Sequence, residues 1–243
     1  YSGLSMRAYL AILVDDLSAM IRSWIVWSWL TLTLLAGIAA VVVSLAYADS
    51  TSFILAWGLV LYLGLGSFVV IIIAANAASS ELSYLGDALM ARSLTPMQYV
   101  LAKLTSRLLT VLLLFLGVVI PVSFALIFQT DDNDLTRRGI SLGLTYLGLM
   151  LALLVCFGVA LSTLISNGLL AMALMVIVWY LGLGGYALAN ARDFSPEGVL
   201  GVLPLLLRGQ FIMADNVASL GLLILMITSL IGLSILVFTR RDL

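Results

Sequence analysis

Residues 139–191 read GISLGLTYLGLMLALLVCFGVALSTLISNGLLAMALMVIVWYLGLGGYALANA, 53 residues without one Asp, Glu, Lys or Arg. As one helix this run would be about 80 Å long, whereas a bilayer core of about 30 Å takes roughly 20 helical residues. Ser166-Asn167-Gly168 near its middle is a turn-type cluster. The run therefore predicts two helices, 140–164 and 169–190. Working outward, the other charge-free runs are 23–48, 50–80, 108–130 and 216–239, each long enough for one crossing. The predicted spans are 24–47, 53–77, 102–128, 140–164, 169–190 and 218–238. The expected fold is an all-α integral membrane protein with six transmembrane helices in one domain, 1–243.

Composition gives the same class. Of 243 residues, 63% are apolar and 9% charged, with a mean hydropathy of +1.23. Soluble domains carry about 25% charged residues, and none of this size hides so much apolar surface from water. Several functions are excluded as well. The chain has no histidine, which removes histidine-ligated haem, a histidine-led triad and the usual catalytic zinc sites. Cys156 is alone and can make no internal disulfide. Lys103, the single lysine, is followed by Leu104, so a Gly-Lys-Ser/Thr phosphate loop is ruled out. A net charge of -1 and no basic run beyond two residues argue against a nucleic-acid partner.

Six crossings put both termini on one side. With the N-terminus inside, cytoplasmic segments hold Arg7, Arg22, Arg92, Lys103, Arg107, Arg240 and Arg241; the outside holds Arg137, Arg138, Arg192 and Arg208. Seven against four orients both termini to the cytoplasm. Residues 1–23 place Arg7, Ala11, Asp15, Ser18 and Arg22 on one helical stripe and Tyr9, Leu10, Leu13, Leu17 and Met20 or Ile21 elsewhere. An interfacial amphipathic helix is expected there, the alternative being a helix packed on the bundle. Trp24, Trp27 and Trp29 follow as an aromatic cluster at the membrane surface.

Two segments outside the spans stand out. Residues 78–101 predict a short amphipathic cytoplasmic helix, then Thr95 as a cap and Pro96 at a first helical position. Such a helix suits docking, a solvated connector being the bland alternative. Residues 191–217 contain Val199 through Leu207, too short to cross and too apolar for a wet loop. They predict an extracellular re-entrant hairpin in which Gly201 and Pro204 interrupt a helix and Gly209 lets the chain turn back. Leu203, Pro204, Leu206 and Gly209 are its candidate gate residues. Asn76, Gln129 and Asn167 fall at span ends. Gly58, Gly64, Gly66, Gly143, Gly148, Gly182, Gly184 and Gly185 suit close helix contacts, and Met172, Met175 and Met213 suit core filling. The predicted spans carry no charge near their middles, which speaks against proton or sodium coupling.

The 80–103 segment resembles the connection between the second and third spans of type-2 ABC transporter permeases. Glu81, Gly86, Leu89, Ala91-Arg92 and Lys103 match that connection in type and order, with Pro96 three residues later than the family's proline. Leu236-Val237-Phe238-Thr239-Arg240-Arg241-Asp242-Leu243 is similar to the Phe-x-Arg-Arg-Asp-Leu ending of these permeases, and Leu203-Pro204 with Gly209 to the stretch before their last span. The resemblance implies a permease subunit in the plasma or inner membrane, forming a substrate path as a homodimer or with a related permease. Two separate ATPase subunits would bind ATP and Mg, the chain itself holding no cofactor and doing no catalysis. Docking and coupling would fall to Arg7, Arg22, Glu81, Gly86, Asp87, Leu89, Arg92 and Lys103, with Arg240, Arg241 and Asp242 as the C-terminal motif. Membrane lipid and a periplasmic or extracellular accessory protein complete the implied partners. The expected cargo is lipidic, amphiphilic or glycan-linked. The alternative from another class is a non-transporting anchor of a larger membrane complex; an intramembrane enzyme comes third.

Overall fold

The structure is a computed structural model describing residues 2–46, 51–75, 95–129, 134–190, 203–210 and 213–240. Eight helices are found there: α1 Ser2–Ile21, α2 Trp24–Ala46, α3 Thr51–Ala75, α4 Pro96–Gln129, α5 Arg137–Leu164, α6 Gly168–Asn190, α7 Leu203–Leu207 and α8 Met213–Arg240. Five of them, α2, α3, α4, α5 and α8, are long and apolar enough to cross a membrane. This is a multi-pass membrane protein. In α6 the apolar stretch among the described residues is the shorter Gly168–Gly182.

Three helices begin where the sequence supplies a side-chain cap. Thr95 and Gln98 form a reciprocal capping box at α4: Gln98 N donates to Thr95 Oγ1 and Thr95 N to Gln98 Oε1, both at 3.3 Å. Thr136 Oγ1 accepts from Gly139 N at 3.1 Å and starts α5. Asn167 Oδ1 accepts from the amides of Leu169 and Leu170 and starts α6. The turn cluster in the long apolar run is thus a helix boundary with a cap built into it. Buried hydroxyls inside the helices turn back on their own backbone, as Thr33 does to Trp29 O and Thr163 to Ala160 O. These two hydroxyls are thereby satisfied inside their own helices, whereas Ser123 Oγ of α4 and Trp179 Nε1 of α6 are buried with no hydrogen-bond partner among the described residues.

The long helices run up and down one bundle. The end of α3, the first half of α6 and the last half of α5 meet where Gly158 faces Ala74 and Met175. The end of α8 meets the start of α4, with Phe238 stacked on Tyr99 at a centroid distance of 5.7 Å. At the opposite end, Tyr146 near the start of α5 donates to Asn216 at the start of α8. The core sits on α5, where 61% of the central window is buried against 6% for α8. Helices α3, α4 and α5 each touch five others, and of the three only α4 touches α1.

Three expectations change. The third apolar run is helical over Pro96–Gln129, 34 residues or about 51 Å, so its first turns extend beyond a bilayer core. Trp29 is buried: its ring lies against Gly66 and edge-on to Tyr62. Only Trp24 and Trp27 stay exposed for an interfacial role, because Trp29 lies on the face of α2 that meets α3. Pro204 does not interrupt a helix; it is the second residue of α7, where its missing N–H costs nothing.

Candidate functional site

Two polar clusters form at opposite ends of α4. The first ties α1 to its opening turns. Asp16 of α1 is buried, and its Oδ1 lies 2.9 Å from Lys103 Nζ and 3.2 Å from Arg107 Nη2. Its second oxygen accepts from Ser106 Oγ, which also donates to Lys103 O at 2.8 Å. Two turns back on α1, Tyr9 Oη donates to Thr105 Oγ1 at 3.1 Å. Lys103 Nζ is 5.8 Å from the Tyr99 ring, which carries Phe238 on its side. The N-terminal helix, the start of α4 and the end of α8 therefore meet at one end of the bundle.

Charges of this kind stay charged in a dry site only when paired and hydrogen-bonded. Lys103 and Arg107 sit four apart, so both point the same way from α4, and Asp16 answers both. Lys103, expected on a docking surface, has a side chain only 8% exposed and is turned into the bundle. Its ammonium lies against Asp16 beneath α1. The outward face of α1 instead carries Leu10, Ala11, Val14 and Asp15, all exposed, with Ser18 half-buried beside them. Ala11, Asp15 and Ser18 belong to the predicted polar stripe, and Arg22 at its end is exposed. Helix α1 is therefore more than an interfacial helix. Its Asp16 side is packed on α4 and its opposite side is open.

The second cluster fixes α7. The carboxylate of Asp134 accepts from Ser52 N at 2.8 Å and from Ser52 Oγ, and Arg208 Nε donates to Asp134 Oδ2 at 2.8 Å and to Ser52 Oγ at 2.9 Å. An acid thus covers the amide end of α3, where negative charge is favoured. The C-terminal carbonyl of α7 is held on α5: Leu207 O accepts from Thr136 N at 3.0 Å and from Thr136 Oγ1 at 3.1 Å. Gly139 lies directly beneath the carbonyl oxygens of Leu206 and Leu207, and Gly143 beneath their side chains. Gly209 closes α7 with φ +81. Its amide donates to Leu206 O and that of Gln210 to Leu205 O, both at 2.9 Å, a left-handed C-terminal cap that glycine adopts without strain.

Of the predicted gate residues, Leu206 is buried and Leu203 and Pro204 are half-buried, while Leu205 is exposed. Arg7 lies on α1 and Arg240 ends α8. Glu81, Gly86, Asp87, Leu89, Arg92, Arg241 and Asp242, with Asn76 and the 199–202 start of the apolar hairpin, lie outside the described residues. Among the described residues no group of three or more Asp, Glu or Cys side chains comes together to hold a metal.

The chain matches no family model and no curated protein. The clusters must be read on their own chemistry.

Sequence reasoning missed Asp16. The signal was present: Asp16 lies in register with Tyr9, Ile12, Leu13 and Met20, the apolar side of α1, where a carboxylate requires a cation. Lys103 and Arg107, spaced by four at the mouth of an apolar run, are that cation pair.

Proposed function

We propose that this chain is the permease subunit of an ATP-driven exporter of the type-2 ABC class, working as a dimer with separate ATPase subunits. One arrangement supports this reading above others. A helix outside the set of five candidate spans, α1, is fixed beside the start of α4 through Asp16 and leaves Leu10, Val14 and Asp15 exposed on its far side. A helix held this way at one end of a bundle offers a seat for an ATPase. In this reading α2, α3, α4, α5, α6 and α8 are six crossings, both termini are cytoplasmic, and Arg7, Arg22, Glu81, Asp87 and Arg92 face the ATPase. Lys103 acts behind that surface, through Asp16.

At the other end α7 stands as part of an outer closure, held on α3 and α5 by Asp134, Ser52 and Thr136. Its exposed Leu205 is the side chain offered to the path. An apolar route without mid-helix charge suits a lipidic, amphiphilic or glycan-linked cargo. The test is isolation of the tagged chain in mild detergent followed by assay of Mg-ATP hydrolysis. An ATP-hydrolysing subunit bound in equal number supports the reading. A complex lacking any ATPase contradicts it and favours an anchoring role.

A further inference from the structure

We propose that Asp16 is the joint that makes α1 and the opening turns of α4 a single lever, so that a displacement of α1 is delivered to the bundle through α4. The inference stands on the Asp16 cluster and is independent of the transport reading. Three observations carry it. Asp16, Lys103 and Arg107 are all buried, with side chains 5–8% exposed, so water does not loosen the pairing as it does at a surface. The bonds come from consecutive turns of α4, at Lys103 and at Ser106 and Arg107, which fixes α1 in rotation as well as in distance. Tyr9 to Thr105 adds a second attachment two helical turns along α1, so α1 cannot swing about a single point.

What α1 is joined to matters equally. Helix α4 touches five other helices, and no other contact of α1 has a comparable polar anchor among the described residues. Between α1 and α2 the chain makes a short turn at Arg22 and Ser23, where Trp27 Nε1 donates to Ile21 O at 2.7 Å. Displacement of α1 therefore reaches α4 directly through Asp16 and α2 through the turn. Asp16 is a positioning residue in this scheme. It need touch neither cargo nor ATPase.

The test uses the full chain in lipid nanodiscs, with spin labels at Ala19 on α1 and Leu109 on α4, both exposed. Pulsed EPR should give one narrow distance for the otherwise native protein. Asp16→Asn should broaden the distribution by about twofold or more, because it removes the one carboxylate that bridges α1 to both Lys103 and Arg107. Exchanging the charges, Asp16→Lys with Lys103→Asp, should narrow it again. Lys103→Met leaves Asp16 its Arg107 partner and should give an intermediate width, which keeps the test decisive if Asp16→Asn does not accumulate. A native width in Asp16→Asn, or in Lys103→Met should the first variant be lost, would overturn the joint. So would an exchange variant as broad as Asp16→Lys alone.

Discussion

Asp16 and Lys103 are separated by 87 residues and lie 2.9 Å apart, a contact that decides how the N-terminal helix sits on the bundle. Its neighbour Asp15 is exposed on the open side of the same helix. The two adjacent carboxylates therefore carry opposite expectations. Asp16→Asn removes one partner of a buried ion cluster and should cost about 3–5 kcal/mol, whereas Asp15→Asn should stay within about 0.5 kcal/mol. Thermal unfolding of both variants in mild detergent measures the difference.

Gly139 has no room for a methyl group. A Cβ there would press on the carbonyl oxygens of Leu206 and Leu207, backbone atoms that cannot rotate away. Gly139→Ala should cost about 1–3 kcal/mol as overpacking and detach α7, read as faster protease cleavage near 203–210. Gly58→Ala is the control, since its Cβ would meet open space.

Asp134 should matter more than its cation. Arg208 is 38% exposed in the pair, so Arg208→Ala should cost no more than about 1 kcal/mol and less in high salt. Asp134→Ala also strands the amide and hydroxyl of Ser52 and should cost about 1–3 kcal/mol with little salt dependence. Unfolding at low and high salt separates the two.

Neighbouring leucines of α7 should answer differently to the same change. Leu206 is 6% exposed and Leu205 44%. Leu206→Asp buries an unpaired carboxylate and should lower the yield of folded protein sharply. Leu205→Asp should fold normally. Size-exclusion profiles in detergent suffice to compare them.

The helices were legible because lipid imposes long apolar runs and because their boundaries carry local chemistry: Thr95 with Pro96, and Asn167 between the halves of the longest run. Rotation about the helix axis was not legible. The register of Asp16 sets it on the apolar side of α1 but names no partner, and nothing in the local pattern distinguishes Trp27 from Trp29 until the facing helix is known. Trp29 turned inward because Gly66 leaves a slot for its ring. Close helix contacts were likewise only partly legible from glycine: Gly66 and Gly143 make them, Gly58, Gly64, Gly182 and Gly185 face open space, and Gly37, Gly139 and Gly158 make contacts that were not expected. A glycine permits close approach, but only the facing side chain uses it.

The central claim is that this chain carries an ATPase on the end of the bundle where α1 and the start of α4 meet. The direct measurement is Mg-ATP hydrolysis by the complex isolated on the tagged chain, native against the combined reversal Arg22→Glu, Glu81→Arg, Asp87→Arg and Arg92→Glu. Exposed ion pairs contribute about 0–1 kcal/mol each, so four together should lower ATPase retention by tenfold or more while the size-exclusion profile of the chain is unchanged. Hydrolysis bound to the native chain and lost from the folded reversal variant is the predicted result. No hydrolysis with the native chain, or equal hydrolysis in both, would contradict the account.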